Sequence, residues 1–109
     1  MSPWQHLSDN MEGSYLRFID AMEHAPEFQE SLLQKILREN SDTEFGRKYD
    51  FSSILNVEDY RSRVPISSYE DRRSDIERMA AGHKGILVGS DVEVFEETSG
   101  SSSKPKLVP

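Results

Sequence analysis

Apolar side chains recur at helical spacing through the first forty residues and then break into short pieces separated by turn residues. Met11, Tyr15, Phe18, Ile19 and Met22 share one face at that spacing and predict a first helix over residues 9–24. Trp4 and Leu7 precede it and are expected to pack against the same core. Gly13 inside the segment costs about 1 kcal/mol relative to alanine. Ala25-Pro26 is a break, and Pro26 suits the first turn of a second helix. That helix is expected to run to Arg38 or Glu39, with Phe28, Leu32, Leu33, Ile36 and Leu37 as its buried stripe. Lys35 and Arg38 lie where a helix dipole favours cations.

The middle of the chain is more broken. Asn40 to Gly46 reads as a turn ending in one half-buried aromatic, and Phe45, Tyr49 and Phe51 are expected in an irregular packed loop. Asn56, followed by Glu58 and Asp59, is a capping-type start for a short helix that must end before Pro65, which disfavours helical geometry at Val64. Ser67 to Asp71 repeats the device for a fourth helix over about 68–81, with Tyr69, Ile76, Met79 and Ala80 facing inward. The side chains from Glu70 to Arg78 are expected to face water, and Gly82 is the expected C-cap. Gly85 to Gly89 encloses a short apolar run, a strand or a buried linker. Val92 to Phe95 reads as a short strand. The predicted class is mainly α, about four helices with a short C-terminal strand and loop: residues 1–90 form a mainly helical segment, and residues 91–109 a strand plus loop.

Composition narrows the function. At 109 residues the chain holds one domain with a modest core. It has no cysteine, hence no disulfide or thiolate chemistry. No apolar run exceeds three residues and the N-terminus lacks a signal-peptide pattern, so a cytoplasmic location away from membranes is expected. The formal net charge of −7 argues against nucleic acid as the partner. Most of that excess lies in residues 1–45, where nine acids face three bases, and a solvated helical face accounts for it.

One stretch asks for a chemical explanation. Thr98, Ser99, Gly100, Ser101, Ser102 and Ser103 are all hydroxylated or glycine, and Lys104 and Lys106 follow around Pro105. Such a loop can turn backbone N–H groups and hydroxyls toward one point, and the resulting concavity suits an anion, with a polyphosphate as the natural guest. A flexible Ser/Gly tail is the plainer reading of the same composition. The order is not a Walker loop, because Gly100 has no second glycine five residues on. A serine nucleophile is set aside, since the G-x-S-x-G order is absent. His6, His24 and His83 have no ligand partner at i+3 or i+4 and read as surface or cap residues. Arg61, Arg63, Arg72 and Arg73 sit among acids and read as exposed ion pairs.

The run Thr98 to Lys106 resembles the phosphate loop of adenylate-forming enzymes, [ST]-S-G-[ST]-[ST]-G-x-P-K, and departs from it only at Ser103, where the pattern has glycine. Three further blocks are collinear with it: Asn40 to Tyr49, Val64 to Asp71 and Ile76 to Gly82. Together they resemble the N-terminal portion of the auxin-responsive acyl-acid–amido synthetase family, related in fold to firefly luciferase, over roughly residues 28–109. The resemblance implies an N-terminal fragment of a larger α/β adenylate-forming fold, without the acyl pocket. It implies a ligase that uses ATP and Mg²⁺ to convert a carboxylic acid to an acyl-adenylate, then passes the acyl group to an amine acceptor, commonly an amino acid. Thr98, Ser99, Gly100, Ser101, Ser102, Ser103 and Lys106 would hold the nucleotide phosphates, with no catalytic or metal-binding residue assigned. This chain alone is expected to be inactive and to bind ATP weakly at most. Leu107-Val108 looks like the start of a returning strand, so residues 91–109 are expected to carry unpaired edges and to be irregular in isolation. The alternative is a small acidic helical interaction module with a flexible Ser/Lys-rich tail.

Overall fold

The computed structural model of the chain describes residues 1–100 and 104–109. In chain order it contains α1 (Pro3–Glu23), α2 (Ala25–Glu39), α3 (Glu44–Lys48), a 3₁₀ turn (Phe51–Ser53), α4 (Val57–Arg63), α5 (Tyr69–Ala80), β1 (Glu96–Glu97) and β2 (Leu107–Val108). The class is mainly helical, as expected, and the short C-terminal strand has a partner. The helix beyond the expected four is α3, in the stretch read as an irregular loop. Two compact units result, Met1–Leu33 and Gln34–Pro109.

In the first unit, α1 starts well before residue 9. Ser2 Oγ accepts the Gln5 N–H at 3.3 Å, and Gln5 Oε1 accepts the Ser2 N–H at 3.0 Å, with Pro3 in the first turn. This capping box satisfies N-terminal donors that would otherwise lack partners. Trp4 and Leu7 therefore lie inside the helix. They do not reach a core: Trp4 is 78% exposed, and Leu7, Met11, Tyr15, Phe18 and Met22 are exposed with it. The expectation of a buried stripe is corrected here, because α1 has no buried residue. Periodicity makes the helix amphipathic, but a unit of this size has too little chain to cover it. Phe28 and Leu32 of α2 are exposed as well.

The second unit holds the core, formed by Leu37, Phe51, Ile54, Ile76, Met79 and Ile86. Of the stripe expected on α2, Leu37 is buried, Leu33 is half-buried and Ile36 is exposed. The core is organised around a polar knot. Thr43, itself buried, accepts the Gly46 N–H at 2.9 Å and donates its hydroxyl to the Asn40 carbonyl at 2.7 Å, so it caps α3 and ties it to the end of α2. Gly46 is required there, since a Cβ would stand 2.0 Å from the Asn40 carbonyl oxygen. The Asn40 amide donates to the Ile36 carbonyl at 2.7 Å, and its oxygen accepts the Gly89 N–H at 2.8 Å.

Residues 85–89 form no strand, and their backbone explains why. The Gly85 and Ile86 carbonyls accept the N–H groups of Glu44 and Phe45 at 2.8 and 3.0 Å, which serves the first turn of α3 rather than a sheet. Phe45 packs edge-on against Tyr49 and Phe51, with ring centroids 4.8 and 5.7 Å away. Helix α4 starts at its Asn56 cap, whose Oδ1 accepts the Asp59 N–H at 2.8 Å, and stops at Val64 before the proline. On α5, Ile76 and Met79 are buried as expected and Tyr69 is half-buried, but Ala80 is exposed, while Arg72, Arg73 and Asp75 are partly covered. Gly82 follows the Ala81 cap and donates to the Met79 carbonyl, while His83 N–H reaches the Arg78 carbonyl. Gly82, the expected C-cap, thus stands one residue past the cap, and the two bonds make a paired-bond helix ending. No helix of the described residues is long and apolar enough to cross a membrane.

Candidate site at the Thr98–Lys106 loop

The strand is displaced from its expected position. Val92 to Phe95 is irregular, and β1 is Glu96–Glu97, paired antiparallel to β2 with Glu96 opposite Val108 and Glu97 opposite Leu107. The strand expected to carry unpaired edges is paired along one of them, and its partner is the segment just past the loop. Immediately beyond the ladder, the Thr98 N–H donates to the Lys106 carbonyl and the Lys106 N–H donates to Thr98 Oγ1, both at 2.9 Å. These two bonds close the neck of a loop running from residue 98 to residue 106.

The neck places the expected phosphate residues as follows. Thr98 Oγ1 accepts from the backbone and keeps its own proton to donate. Ser99 is exposed at the start of the loop. Gly100 has φ +59°, in the left-handed region that glycine enters without steric cost, so the chain turns where the motif has its glycine. Ser101, Ser102 and Ser103 lie outside the described residues, and so does the departure from the motif at Ser103. Lys104 is exposed and Lys106 half-buried, both beyond the turn.

Lys106 is joined by residues that sequence reasoning did not connect to it. Its ammonium lies 5.4 Å from the centre of the Tyr69 ring, and the Arg73 guanidinium lies 4.9 Å from the same ring. The Tyr69 hydroxyl donates to the Leu107 carbonyl at 3.1 Å and accepts the Leu107 N–H at 2.9 Å. Glu70 grips Arg73 with two bonds of 2.7 and 2.8 Å. The Arg73 hydrogen bond holds the Glu70 carboxyl below its ordinary range, and the same bond pushes the guanidinium up, so both stay charged. The available signal was Tyr69 itself, an aromatic at a helix start inside one of the four collinear blocks. Its partner lies 38 residues away, and no local pattern reports that.

Other candidates resolve into ordinary structural roles. His24 caps α1, donating its N–H to the Asp20 carbonyl at 3.0 Å, and His6 and His83 are exposed. Arg63 pairs with Asp50 at 3.6 Å and Arg72 with Asp75 at 3.4 Å. Among the described residues no three His, Cys, Asp or Glu side chains converge as a metal cage. A cavity of about 230 Å³ beyond the end of α5 is lined by residues including His83, Lys84, Ser90 and Asp91, and its Lys84–Asp91 pair, at 2.8 Å, is exposed.

Comparison with known proteins bears on the same residues. The chain is 30% identical over 111 residues to indole-3-acetic acid-amido synthetase GH3.3 of Arabidopsis thaliana, an alignment covering 99% of this chain and 19% of that protein. It is 35% identical over 97 residues to the probable indole-3-acetic acid-amido synthetase GH3.1 of the same plant, covering 86% of this chain and 16% of that protein. With jasmonoyl–L-amino acid synthetase JAR6 of Nicotiana attenuata it shares 33% identity over 94 residues, covering 84% of this chain and 16% of that protein. The chain thus spans less than a fifth of the length of these curated relatives. Residues 15–109, from the second half of α1 through the loop and β2, match the N-terminal domain of the GH3 family, and the chain belongs to that family.

Proposed function

We propose that this chain is the N-terminal portion of an ATP-dependent ligase that joins a carboxylic acid to an amino acid, and that residues 98–106 are its phosphate loop. The observation that carries this reading is the closed neck between Thr98 and Lys106 with Gly100 in the left-handed region, in a chain whose relatives are named as amido synthetases. In that role the loop is electrostatic. The Thr98 hydroxyl donates to a phosphate oxygen, and Lys106 sets positive charge beside it as pyrophosphate departs from the α-phosphate. Ser99, and by the motif Ser101, Ser102 and Ser103, add donors along the turn. Mg²⁺, which commonly takes one or two carboxylates plus substrate phosphates, would arrive on the nucleotide. The acyl-adenylate and the incoming amine belong to parts of the family's fold outside these residues, and the 109-residue chain alone is inert.

The test is a titration of the chain with Mg²⁺-pyrophosphate, followed by amide chemical shifts. We expect weak, saturable shifts confined to Thr98 through Lys106, diminished in Lys106→Met. A chain whose loop amides ignore pyrophosphate at any concentration would lose the phosphate reading.

A second reading has one observation in its favour, the exposed apolar stripe of α1. On that reading the chain is an acidic helical interaction module. Concentration-dependent sedimentation with no pyrophosphate response would select it.

A further inference from the structure

The ring and hydroxyl of Tyr69 converge on the outgoing limb of the loop, and no role assigned above uses them. Leu107 faces Glu97 across the ladder, yet both of its backbone polar groups go to Tyr69. They therefore point away from β1, toward the open edge of β2, where a further strand would otherwise pair. One hydroxyl, donating and accepting at once, closes that edge. Lys106, next in the chain, already has its N–H on Thr98 Oγ1 and its carbonyl on the Thr98 N–H. With Leu107 tied as well, the backbone on both sides of the Lys106 side chain is held, and the Tyr69 ring then carries its ammonium. The anchor is itself secured. Tyr69 is the first residue of α5, directly after the Ser68 cap, whose N–H and hydroxyl donate to Asp71 Oδ2 at 2.7 and 2.9 Å. Arg73 on the same ring is committed to Glu70, whereas Lys106 is held by the ring rather than by a carboxylate.

We propose that Tyr69 is a positioning residue of the phosphate loop: its hydroxyl locks the outgoing strand at Leu107, and its ring aims the Lys106 ammonium at the anion. The ligand half of this statement rests on the phosphate reading above, and the structural half on geometry alone. Holding a cation in place before the anion arrives removes the ordering cost from binding.

The experiment uses the 109-residue chain and two variants. Tyr69→Phe keeps the ring and removes the hydroxyl, and Tyr69→Leu removes both. Amide exchange at Leu107 should accelerate roughly tenfold in Tyr69→Phe, the effect of losing one hydrogen bond, while Ile76 and Met79 exchange as before. The Lys106 ε-methylene protons should keep their ring-induced shift in Tyr69→Phe and lose it in Tyr69→Leu, a signature that general loosening of the fold would not produce. Pyrophosphate affinity should fall several-fold in Tyr69→Phe and further in Tyr69→Leu. Unchanged Leu107 exchange in the first variant, or an unmoved Lys106 shift in the second, would overturn the proposal. Equal pyrophosphate binding by all three chains would overturn its ligand half. If Leu107 and Lys106 respond as expected but the unmodified chain binds no pyrophosphate, the phosphate reading fails and the structural lock stands.

Discussion

Helices α1 and α5 invert the usual link between pattern and burial. Helix α1 has a regular apolar stripe from Trp4 to Met22 and buries none of it. Helix α5 is far more polar, with charged residues at seven of its twelve positions, yet buries Ile76 and Met79. Period alone decides whether a segment is a helix with a greasy side. Burial needs a second surface, and in the unit from Gln34 onward that surface is brought in by non-local hydrogen bonds: the Glu44 and Phe45 N–H groups to the Gly85 and Ile86 carbonyls, and the Gly89 N–H to the Asn40 side-chain oxygen.

Substitutions of similar chemistry in the two regions should therefore have unequal effects. Leu37→Ala removes a side chain 2% exposed and is expected to destabilise the second unit by about 3 kcal/mol, whereas Phe18→Ala, at a position 62% exposed, should change stability by less than about 0.5 kcal/mol. Urea unfolding followed by circular dichroism reads both, and equal losses would show that the α1 stripe is covered in solution.

A smaller contrast concerns the caps. Thr43→Val leaves the Gly46 N–H without its buried partner, takes the hydroxyl from an Asn40 carbonyl that keeps the Thr43 N–H, and should cost about 1.5 kcal/mol in the same unfolding curve. Ser2→Ala opens the capping box of α1 and should lose about 1 kcal/mol of local helix stability, visible as faster exchange in its first turn with the main transition unmoved.

The least effect is expected from acid. Arg78 grips Glu44 with two bonds of 2.8 Å and holds its carboxyl below the ordinary value of 4.5, Arg73 does the same for Glu70, and the Ser68 N–H lowers Asp71. In each case the folded carboxyl binds its proton less readily than the unfolded one. The stabilisation is present above the ordinary carboxyl range and is lost as pH falls through it and below. All three groups are exposed, so the loss in melting temperature should be modest and should shrink in salt. Glu44→Gln should remove part of the acid sensitivity, and a variant with an unaltered acid profile would exclude Glu44 as a contributor.

The expectations that held concern residues whose signals are local. Asn56 as a cap, Pro65 as a stop and Gly82 at the end of α5 all act within a few residues of themselves. Expectations that needed a distant partner fared differently. The apolar face of α1 met no cover, and of the two readings of Gly85 to Gly89 it was the linker that held, with Ile86 buried and the backbone serving the start of α3. The ladder slid from Val92–Phe95 to Glu96–Glu97, because its register follows from the bonds of the loop neck and not from β-propensity.

Read without coordinates, the chain already pointed to four of its helices, the cap at Asn56, the stop at Pro65 and the motif of residues 98–106, since backbone preference and capping operate over one or two turns, while α3 and the true start of α1 went unread. Only the folded arrangement could join Tyr69 to Leu107 and Lys106, pair β1 with β2, and divide the apolar residues into those buried and those left in water. Those outcomes depend on which surfaces meet across dozens of residues, and a one-dimensional pattern does not encode that distance.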